Sequence, residues 1–241
     1  MMRSGNPVLR EDSFAGTGSF DSSESMTIQG AVNKSFILLF LVVLGASWTW
    51  ADPSRLVPLM WPFLIAGFTV ALVTVFKQEW SPVTAPLYAV LEGLVLGGIS
   101  AMLERIYPEI VIQAVALTFG TLFCLLMAYK ARLIQVTERF KLGVVAATGG
   151  IAILYIVDIV MGAFGHHIPF IHESGVVGIG FSVFIVIIAS LNLVIDFDFI
   201  EKGAQAGAPR YMEWYGAFSL MVTLVWLYLE IINLLSKIRR R

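Results

Sequence analysis

The hydrophobic residues of the chain are gathered into seven long runs, separated by short polar connectors. A helix needs roughly 20 mostly apolar residues to cross about 30 Å of hydrocarbon. Each run is long enough for one crossing, and the connectors leave no room for a soluble domain between crossings. The predicted spans are residues 32–50, 56–76, 83–103, 110–129, 142–163, 175–197 and 214–235.

This pattern predicts an all-α fold, a polytopic integral membrane protein whose seven transmembrane helices form a bundle. The membrane domain is expected over residues 32–235. Residues 1–31 are rich in Ser, Gly and acidic side chains and lack periodic apolar positions, so we expect a polar, mostly disordered N-terminal tail. Residues 236–241 are expected to form a short basic C-terminal tail.

The composition agrees with a membrane protein and excludes several other classes. Of the 241 residues, 58% are hydrophobic and 14% are charged, whereas about 25% of the residues in a soluble domain are charged. The net charge of −1 provides no basic surface for nucleic acid, and the single cysteine, Cys124, excludes a disulfide framework. The chain has no phosphate-binding glycine loop and no catalytic triad pattern. We therefore expect neither an enzyme nor a bound cofactor.

The basic residues of the connectors predict the orientation in the membrane. The connectors on the side of the N-terminal tail hold seven of them: Lys77, Lys130, Arg132, Arg139, Lys141, Lys202 and Arg210. The opposite connectors hold only Arg55 and Arg105, so the N-terminal side is expected to be cytoplasmic. The basic residues 237–241 would then lie outside. Either the last segment crosses against the rule, or one segment enters the membrane and returns on the same side.

Five acidic residues lie in the predicted spans or directly beside them, and Lys34, near the start of the first span, is the one basic residue inside a span. The acids are Glu92, Asp158, Asp196, Asp198 and Glu230. A charge at the centre of a bilayer costs about 2.5–3.5 kcal/mol on insertion scales. Such acids must therefore be protonated, share protons in pairs, or face a wet cavity that admits cations. An acid near the end of a span, such as Asp198, could instead reach the membrane surface.

Polar and small residues form stripes on the last two predicted helices. At about 100° per residue, one face of the seventh helix collects Ser219, Thr223, Glu230 and Asn233, and one face of the sixth collects Gly178, Ser182, Ala189, Asn192 and Asp196. Small residues on a stripe allow helices to pack closely. Packing alone does not explain why both stripes also carry an acid.

Distinctive segments are spread over nearly the whole chain. They are residues 3–9 (RSGNPVL), 26–34 (MTIQGAVNK), 85–98 (APLYAVLEGLVLGG), 191–201 (LNLVIDFDFIE), 211–215 (YMEWY) and 224–235 (LVWLYLEIINLL). In these segments the chain resembles bacterial proteins of the Bax inhibitor-1/YccA-like family. The resemblance implies a multi-pass protein of the bacterial inner membrane with a seven-helix fold.

The resemblance also implies a pH-sensitive calcium leak, gated by a hydrogen-bonded pair of acids on the sixth and seventh helices. Asp196 matches the first acid, with Asp198 as a second candidate, and Glu230 in LYLE matches the second acid. A basic residue at the end of the second helix assists the gate, and Lys77 is the best match. The family has arginine and aspartate where this chain has Lys77 and Glu230. Lysine lacks the planar fork that clamps a carboxylate.

Two functions of different classes remain open from the sequence. The first is a passive, pH-gated cation pathway that favours calcium, because carboxylate oxygens suit Ca²⁺. Asp196 and Glu230 would bind the ion, with Asn192 and Asn233 as neutral oxygen ligands and Asp198, Glu92 and Asp158 along the pathway. The second is a membrane regulator without transport activity, which binds another membrane protein such as a membrane-anchored ATP-dependent protease. The polar N-terminal tail would offer such a partner a segment to grip.

The predicted gate should make the conductance depend on pH, but its two acids are expected at different depths in the membrane. Two carboxyl groups in contact share one proton, and burial adds to the cost of ionisation, so conductance is expected to change with a midpoint between about pH 6 and 8. However, hydropathy places Asp196 near the cytoplasmic end of its span and Glu230 roughly 25 Å along the next helix. The pair can meet only if the sixth helix continues beyond its apolar run, or if the last segment is tilted or re-entrant.

Overall fold

A computed structural model describes residues 25–52, 59–166 and 168–240, and this part of the chain is helical almost throughout. The seven helices are α1 (Ile28–Ala51), α2 (Met60–Phe76), α3 (Ser81–Ile106), α4 (Ile110–Lys130), α5 (Glu138–Ala163), α6 (Val176–Gln205) and α7 (Met212–Arg239). A short 3-10 helix, Gln78–Trp80, precedes α3, and a single helical turn, Pro169–His172, precedes α6.

Six of these helices are long and apolar enough to cross a membrane, and α2 is a shorter apolar helix of 17 residues. Each of the seven predicted spans therefore corresponds to a helix, and the chain is an integral multi-pass membrane protein. The second span was predicted to begin at residue 56, but α2 begins at Met60. Residues 53–58, which include Arg55, and residues 1–24 of the predicted tail lie outside the described part of the chain.

The N-terminal helix begins earlier than the hydropathy pattern indicates. The side chain of Thr27 caps α1 by accepting a hydrogen bond from the Gly30 amide, so the helix starts at Ile28 inside the predicted tail. Just before it, Met26 donates a backbone hydrogen bond of 2.7 Å to Ala208 O. Residues 25–27 are thus attached to the connection between α6 and α7, rather than forming part of a free tail.

Helix α7 lies at the centre of the bundle. It packs against α1, α3, α4 and α6, while α5 packs on α6 and α2 packs on α3. One apolar core joins α1, α3 and α7 around Leu38, Leu96 and Met221. A second core joins α4, α6 and α7 around Ile110, Leu193 and Leu227. Ala189 of the α6 stripe belongs to the second core, as expected for a stripe that faces other helices.

Glycines bring α1 and α3 into backbone contact. A Cβ atom added to Gly45 of α1 would lie 2.9 Å from Val90 O, and one added to Gly93 of α3 would lie 2.9 Å from the Cα atom of Val42. Gly149 and Gly150 of α5 look similar in sequence, but nothing lies within 4 Å of an added Cβ at either position. Only the first group serves as a packing notch.

Large apolar side chains cover the outside of the bundle. Examples are Phe36, Trp61, Phe76, Val83 and Ile112, each with well over half of its surface exposed. Such an exterior would promote aggregation in water but matches the hydrocarbon of a bilayer. It leaves the interior to the small and polar side chains.

The last helix runs through the bundle without returning. Helix α7 is continuous from Met212 to Arg239, and near its end Lys237 contacts Gly178 and Ser182 in the first turns of α6. The two helices are therefore antiparallel over their full length, and a re-entrant last segment does not form. Residues 236–239, predicted as part of a basic tail, are the last turn of α7, and Lys237 is buried.

Candidate functional site

The acidic residues of the membrane domain are distributed between the two ends of the bundle. We call the end with the α6–α7 connection (residues 206–211) the loop end, and the end where α6 begins and α7 finishes the far end. Asp198 and Asp158 each lie near the C-terminal end of their helix, and the start of α5 contacts the end of α6 through Lys141 and Asp198. The two helices are therefore antiparallel, with Asp198 toward the loop end and Asp158 toward the far end. Asp196 of α6 and Glu230 of α7 lie between these extremes.

Asp196 is bound to α7 by a serine. Ser219 donates a hydrogen bond of 2.6 Å to Oδ1 of Asp196, whose side chain is only 7% exposed. The second oxygen, Oδ2, has no hydrogen-bond partner among the described residues. The α6 stripe turns toward α7 in this region because Leu193 and Ala189, one and two turns earlier, are packed in the second core.

Glu230 is bound to α5 rather than to α6. Tyr155 of α5 donates a hydrogen bond of 2.7 Å to its Oε1, and Trp226, one turn earlier on α7, donates another of 3.2 Å. The residue is 5% exposed, and Oε2 has no partner in the described part of the chain. Sequence reasoning did not identify Tyr155, because nothing in the sequence reports which helix faces Glu230.

The predicted hydrogen-bonded pair of Asp196 and Glu230 is not formed. Asp196 is level with Ser219, and Glu230 lies eleven residues further along α7, which is about 16 Å along a helix axis. Antiparallel packing fixes this separation, since each residue of α6 meets a single level of α7. The two carboxylates also cannot coordinate one calcium ion, whose oxygen ligands lie at about 2.3–2.6 Å.

Asp198 does not replace Asp196 in such a pair. Its Oδ2 lies 2.9 Å from Lys141 Nζ of α5 and 2.8 Å from Lys202 Nζ of its own helix. Two ammonium groups thus compensate a single carboxylate. The residue joins α6 to the start of α5 at the loop end, and the alternative assignment of the gate to Asp198 is not supported by contacts with α7.

Lys77 is placed at the loop end but apart from both acids. It follows α2 directly, and four residues later Ser81 donates a hydrogen bond of 2.9 Å to Tyr211 O. The Lys77 side chain is exposed, and no ion pair joins it to Asp196 or Glu230 within the described residues. The predicted basic partner of the gate therefore does not contact the acids in this structure.

A different lysine lies close to the site. Lys237 of α7 is 4% exposed and donates hydrogen bonds to Ser182 Oγ at 2.8 Å and to Gly178 O at 3.3 Å. It follows Glu230 by seven residues, so both lie on one face of α7. That spacing is visible in the sequence, but the hydropathy boundary at residue 235 assigned Lys237 to a tail.

A polar cavity of about 270 Å³ opens beside Lys237 at the far end. Its lining comprises Tyr155, Asp158, Ile171, His172, Asn233, Ser236, Lys237 and Arg240. Asp158 closes one side, because it accepts a hydrogen bond of 2.8 Å from the Ile168 amide and lies 2.7 Å from Nε2 of His172. The predicted pathway residues Asp158 and Asn233 are thus brought together here, next to the level of Glu230.

The remaining predicted pathway residues lie on different sides of the bundle. Asn192 faces α5, where its Nδ2 donates to Thr148 Oγ1 at 2.8 Å. Glu92 lies on α3 and faces α2, since a Cβ atom added to Gly67 would lie 3.7 Å from Glu92 Oε2. Asn192 therefore belongs to the same region as Asp196 and Glu230, whereas Glu92 does not.

Together these residues form a polar line, which we call the polar seam, between α5, α6 and α7. From the loop end to the far end it contains Asp196 with Ser219, Asn192 with Thr148, Glu230 with Tyr155, and Ser182 with Lys237. Within the described residues, no group of three or more His, Cys, Asp or Glu side chains could hold a metal ion. The seam thus holds single carboxylates at separate levels.

A comparison of the chain with protein families gives a match over nearly its whole length. The family model described as "Bax inhibitor 1 like" matches residues 6–240. Neither the curated proteins nor the solved structures include a match.

Proposed function

Since the chain belongs to the Bax inhibitor 1 like family, we propose that it is a pH-sensitive passive cation leak in the membrane, with calcium as the favoured ion. The observation that carries the proposal is the pair of buried carboxylates in the polar seam, Asp196 and Glu230, each with one oxygen that has no partner among the described residues. A buried carboxylate oxygen without a donor is costly. A proton or a cation would satisfy it.

The two carboxylates would act as separate stations. Ser219, which bonds Asp196, precedes Glu230 by eleven residues. Eleven residues make about three helical turns, so Ser219 and Glu230 lie on the same face of α7. The two stations therefore lie one above the other along the seam. An ion would exchange between single carboxylates assisted by neutral oxygens such as that of Tyr155. Sites that are weak and multiple allow an ion to leave as well as to enter.

The pH dependence would arise at each station independently. A proton on Asp196 or Glu230 removes the charge that attracts a cation, so acidification would lower the flux, and calcium would compete with protons. The midpoint predicted from the sequence rested partly on contact between the two carboxyl groups, and this contact is not formed. Independent titration is therefore the expectation, in place of a shared proton that latches α6 to α7.

The test is calcium flux into liposomes that contain the purified protein. We expect Asp196→Asn and Glu230→Gln each to lower the initial rate about tenfold, the factor that corresponds to about 1.4 kcal/mol of ion binding. The double variant is expected to multiply the two effects, because sites more than about 10 Å apart are nearly additive.

Asp198→Asn is the matched control. It also removes one carboxylate from α6, but this carboxylate is already paired with Lys141 and Lys202, so the flux and its pH dependence are expected to stay close to those of the wild type. Unchanged flux in the double variant would contradict the assignment of both stations. A pH midpoint that moves only in Asp198→Asn would identify Asp198 as the sensor.

The second candidate function is a membrane regulator that binds another membrane protein, such as a membrane-anchored ATP-dependent protease. One observation favours it: Met26 is bound to Ala208 of the α6–α7 connection, and Thr27 is bound to the first turn of α7, where its amide and hydroxyl both donate to Glu213. Ser25, which follows residues 1–24 in the sequence, is therefore held at the loop end. Loss of the cellular phenotype on deletion of residues 1–24, with liposome flux intact, would support the regulator.

A further inference from the structure

A deep groove opens on the side of the bundle away from the polar seam. Helix α1 packs on α3 and α7, and helix α4 packs on α6 and α7, which leaves a gap between α1 and α4. The gap has a volume of about 790 Å³ and is floored by Leu220, Met221 and Leu224 of α7. We call it the lateral groove. Phe36 and Phe123 stand at its two edges with about two thirds of their surface exposed, so it faces the lipid.

The lateral groove is apolar along its length and charged at one end. Its walls are formed by side chains such as Leu39, Phe119 and Leu126, whereas Lys130, Arg132, Asp198, Glu201 and Lys202 line the mouth at the loop end. The mouth thus has three bases against two acids. Asp198 is already compensated by Lys202 and by Lys141 from α5.

Two of the bases at the mouth have no acidic partner. Within the described residues no ion pair involves Lys130 or Arg132, and both are exposed. Glu201 accepts hydrogen bonds from Tyr129 and Gln205. The local field at the mouth therefore favours an anion next to Lys130 and Arg132.

Arg132 occupies a backbone position that normally belongs to glycine. Its φ of 56° is left-handed, and it ends α4 where the Leu133 amide bonds Ala128 O at 3.0 Å. This hydrogen bond defines a common helix end in which glycine is the usual residue at the left-handed position. Arginine is strained there. The position therefore carries a charge that the helix end does not require.

We propose that the lateral groove binds an anionic phospholipid from the membrane leaflet at the loop end. The phosphate of the headgroup contacts Lys130 and Arg132, and one acyl chain lies in the apolar slot between α1 and α4. The positive mouth complements the anionic headgroup, and the slot complements the chain. This site is separate from the carboxylates of the polar seam and does not depend on the proposed ion flux.

The shape and chemistry of the slot favour lipid over a peptide segment. A peptide in the slot would place backbone N–H and C=O groups in an apolar environment without partners, and each such group costs several kcal/mol in hydrocarbon. An acyl chain has no such groups. Ile28, three residues after Ser25, lines the groove, so residues 1–24 are the strongest competing occupant and the test must distinguish them.

The experiment is native mass spectrometry of the delipidated full-length protein, titrated with equal amounts of dioleoylphosphatidylglycerol and dioleoylphosphatidylcholine. We expect the wild type to retain one phosphatidylglycerol in preference to phosphatidylcholine. The double variant Lys130→Gln/Arg132→Gly should lose about tenfold or more of the preference, since two charged contacts to phosphate are removed. Equal retention of phosphatidylglycerol by wild type and double variant would overturn the proposal.

Three further variants separate binding from folding and identify the occupant. Arg132→Gly relieves the left-handed strain, so reduced lipid binding together with an unchanged or higher melting temperature supports a direct contact. Arg139→Gln removes an exposed base at the loop end outside the groove and should leave the preference unchanged; an equal loss here would show non-specific attraction and overturn the site. Deletion of residues 1–24 should leave binding unchanged, whereas a clear increase would show that the N-terminal segment occupies the groove, and would equally overturn the proposal.

Discussion

At the scale of single residues, the contact between Glu230 and Tyr155 has the clearest consequences. The phenol is the main donor to the carboxylate, and it joins α7 to α5 across the polar seam. Trp226 donates a second, longer hydrogen bond of 3.2 Å to the same oxygen. The phenol therefore acts on both the stability of the bundle and the titration of the proposed station.

We expect Tyr155→Phe to lower the free energy of unfolding by about 1–3 kcal/mol, because a buried carboxyl group loses its main donor. It should also shift the pH dependence of calcium flux. Tyr228→Phe is the matched control, since Tyr228 makes a comparable hydrogen bond of 2.7 Å with Ser100 and not with an acid. If both variants shift the flux profile equally, the tyrosine at α5 has no special relation to Glu230.

A second prediction at this scale concerns the effect of the Lys237 charge on calcium flux. Its ammonium group lies at the far end of the seam, on the same face of α7 as Glu230, and repels a cation that approaches from the polar cavity. Lys237→Met is therefore expected to raise calcium flux severalfold, while Lys237→Arg retains the charge and should not. Calcium flux into liposomes at constant pH measures both. A fall in flux in Lys237→Met at wild-type stability would exclude this blocking role.

The sequence predicts part of this site, and the reason is local. Helical spacing correctly places Asp196 and Ser219 on the inner faces of α6 and α7, because the period of a helix is fixed. The partner of Glu230 could not be predicted, since it depends on how α5 is placed beside α7. The predicted contact between Asp196 and Glu230 is wrong for the same reason. The hydropathy pattern had already placed the two residues at different depths in the membrane.

At the scale of helices, hydropathy predicts the elements well but not all of their ends. The sixth helix continues eight residues beyond the predicted end at residue 197, as far as Gln205. Its last turns are polar on the outside, and Lys202 pairs with Asp198 four residues earlier. Capping by Thr27 extends α1 in the same way. Apolar runs report the hydrocarbon thickness, whereas caps and salt bridges decide where a helix ends.

The glycine contact between α1 and α3 gives a prediction at this scale. In Gly93→Ala the new Cβ atom would meet the backbone of Val42, which cannot move aside as a side chain does. Overpacking of this kind costs about 1–3 kcal/mol. The expected result is a lower melting temperature in detergent. Gly150→Ala, where an added Cβ has open space, should be neutral or slightly stabilising, and an equal loss in both variants would show that the α1–α3 contact is looser than described.

At the scale of the whole molecule, the antiparallel and continuous course of α7 determines the positions of its ends. The α6–α7 connection lies at the loop end, and Arg240 lies at the far end beside Tyr107 of the α3–α4 connection. A helix of 28 residues is about 42 Å long, enough to cross a bilayer with its headgroup regions. The two ends of α7 should therefore face opposite sides of the membrane.

Labelling of single cysteines checks this topology. In a Cys124→Ser background, Ala206→Cys places a thiol at an exposed position before the start of α7, and Arg240→Cys places one directly after its end. In intact cells, a membrane-impermeant maleimide is expected to label Arg240→Cys directly, and Ala206→Cys only after the membrane is opened, because the basic connectors predict a cytoplasmic loop end. Labelling of both from one side would mean that α7 does not cross.

The attachment of residues 25–27 to the last connection also bears on the order in which the protein is assembled. Thr27 bonds Glu213, which lies 186 positions away in sequence, and Lys34 of α1 pairs with the same carboxylate. During synthesis α1 and α3 can pack through their glycines as soon as both have been inserted. Helices α1, α3, α4 and α6 acquire their common neighbour only after the ribosome has produced α7. Until then, the surfaces of these helices that pack on α7 are exposed in the bilayer. A chaperone or the insertion machinery would bind these exposed surfaces before α7 is synthesised.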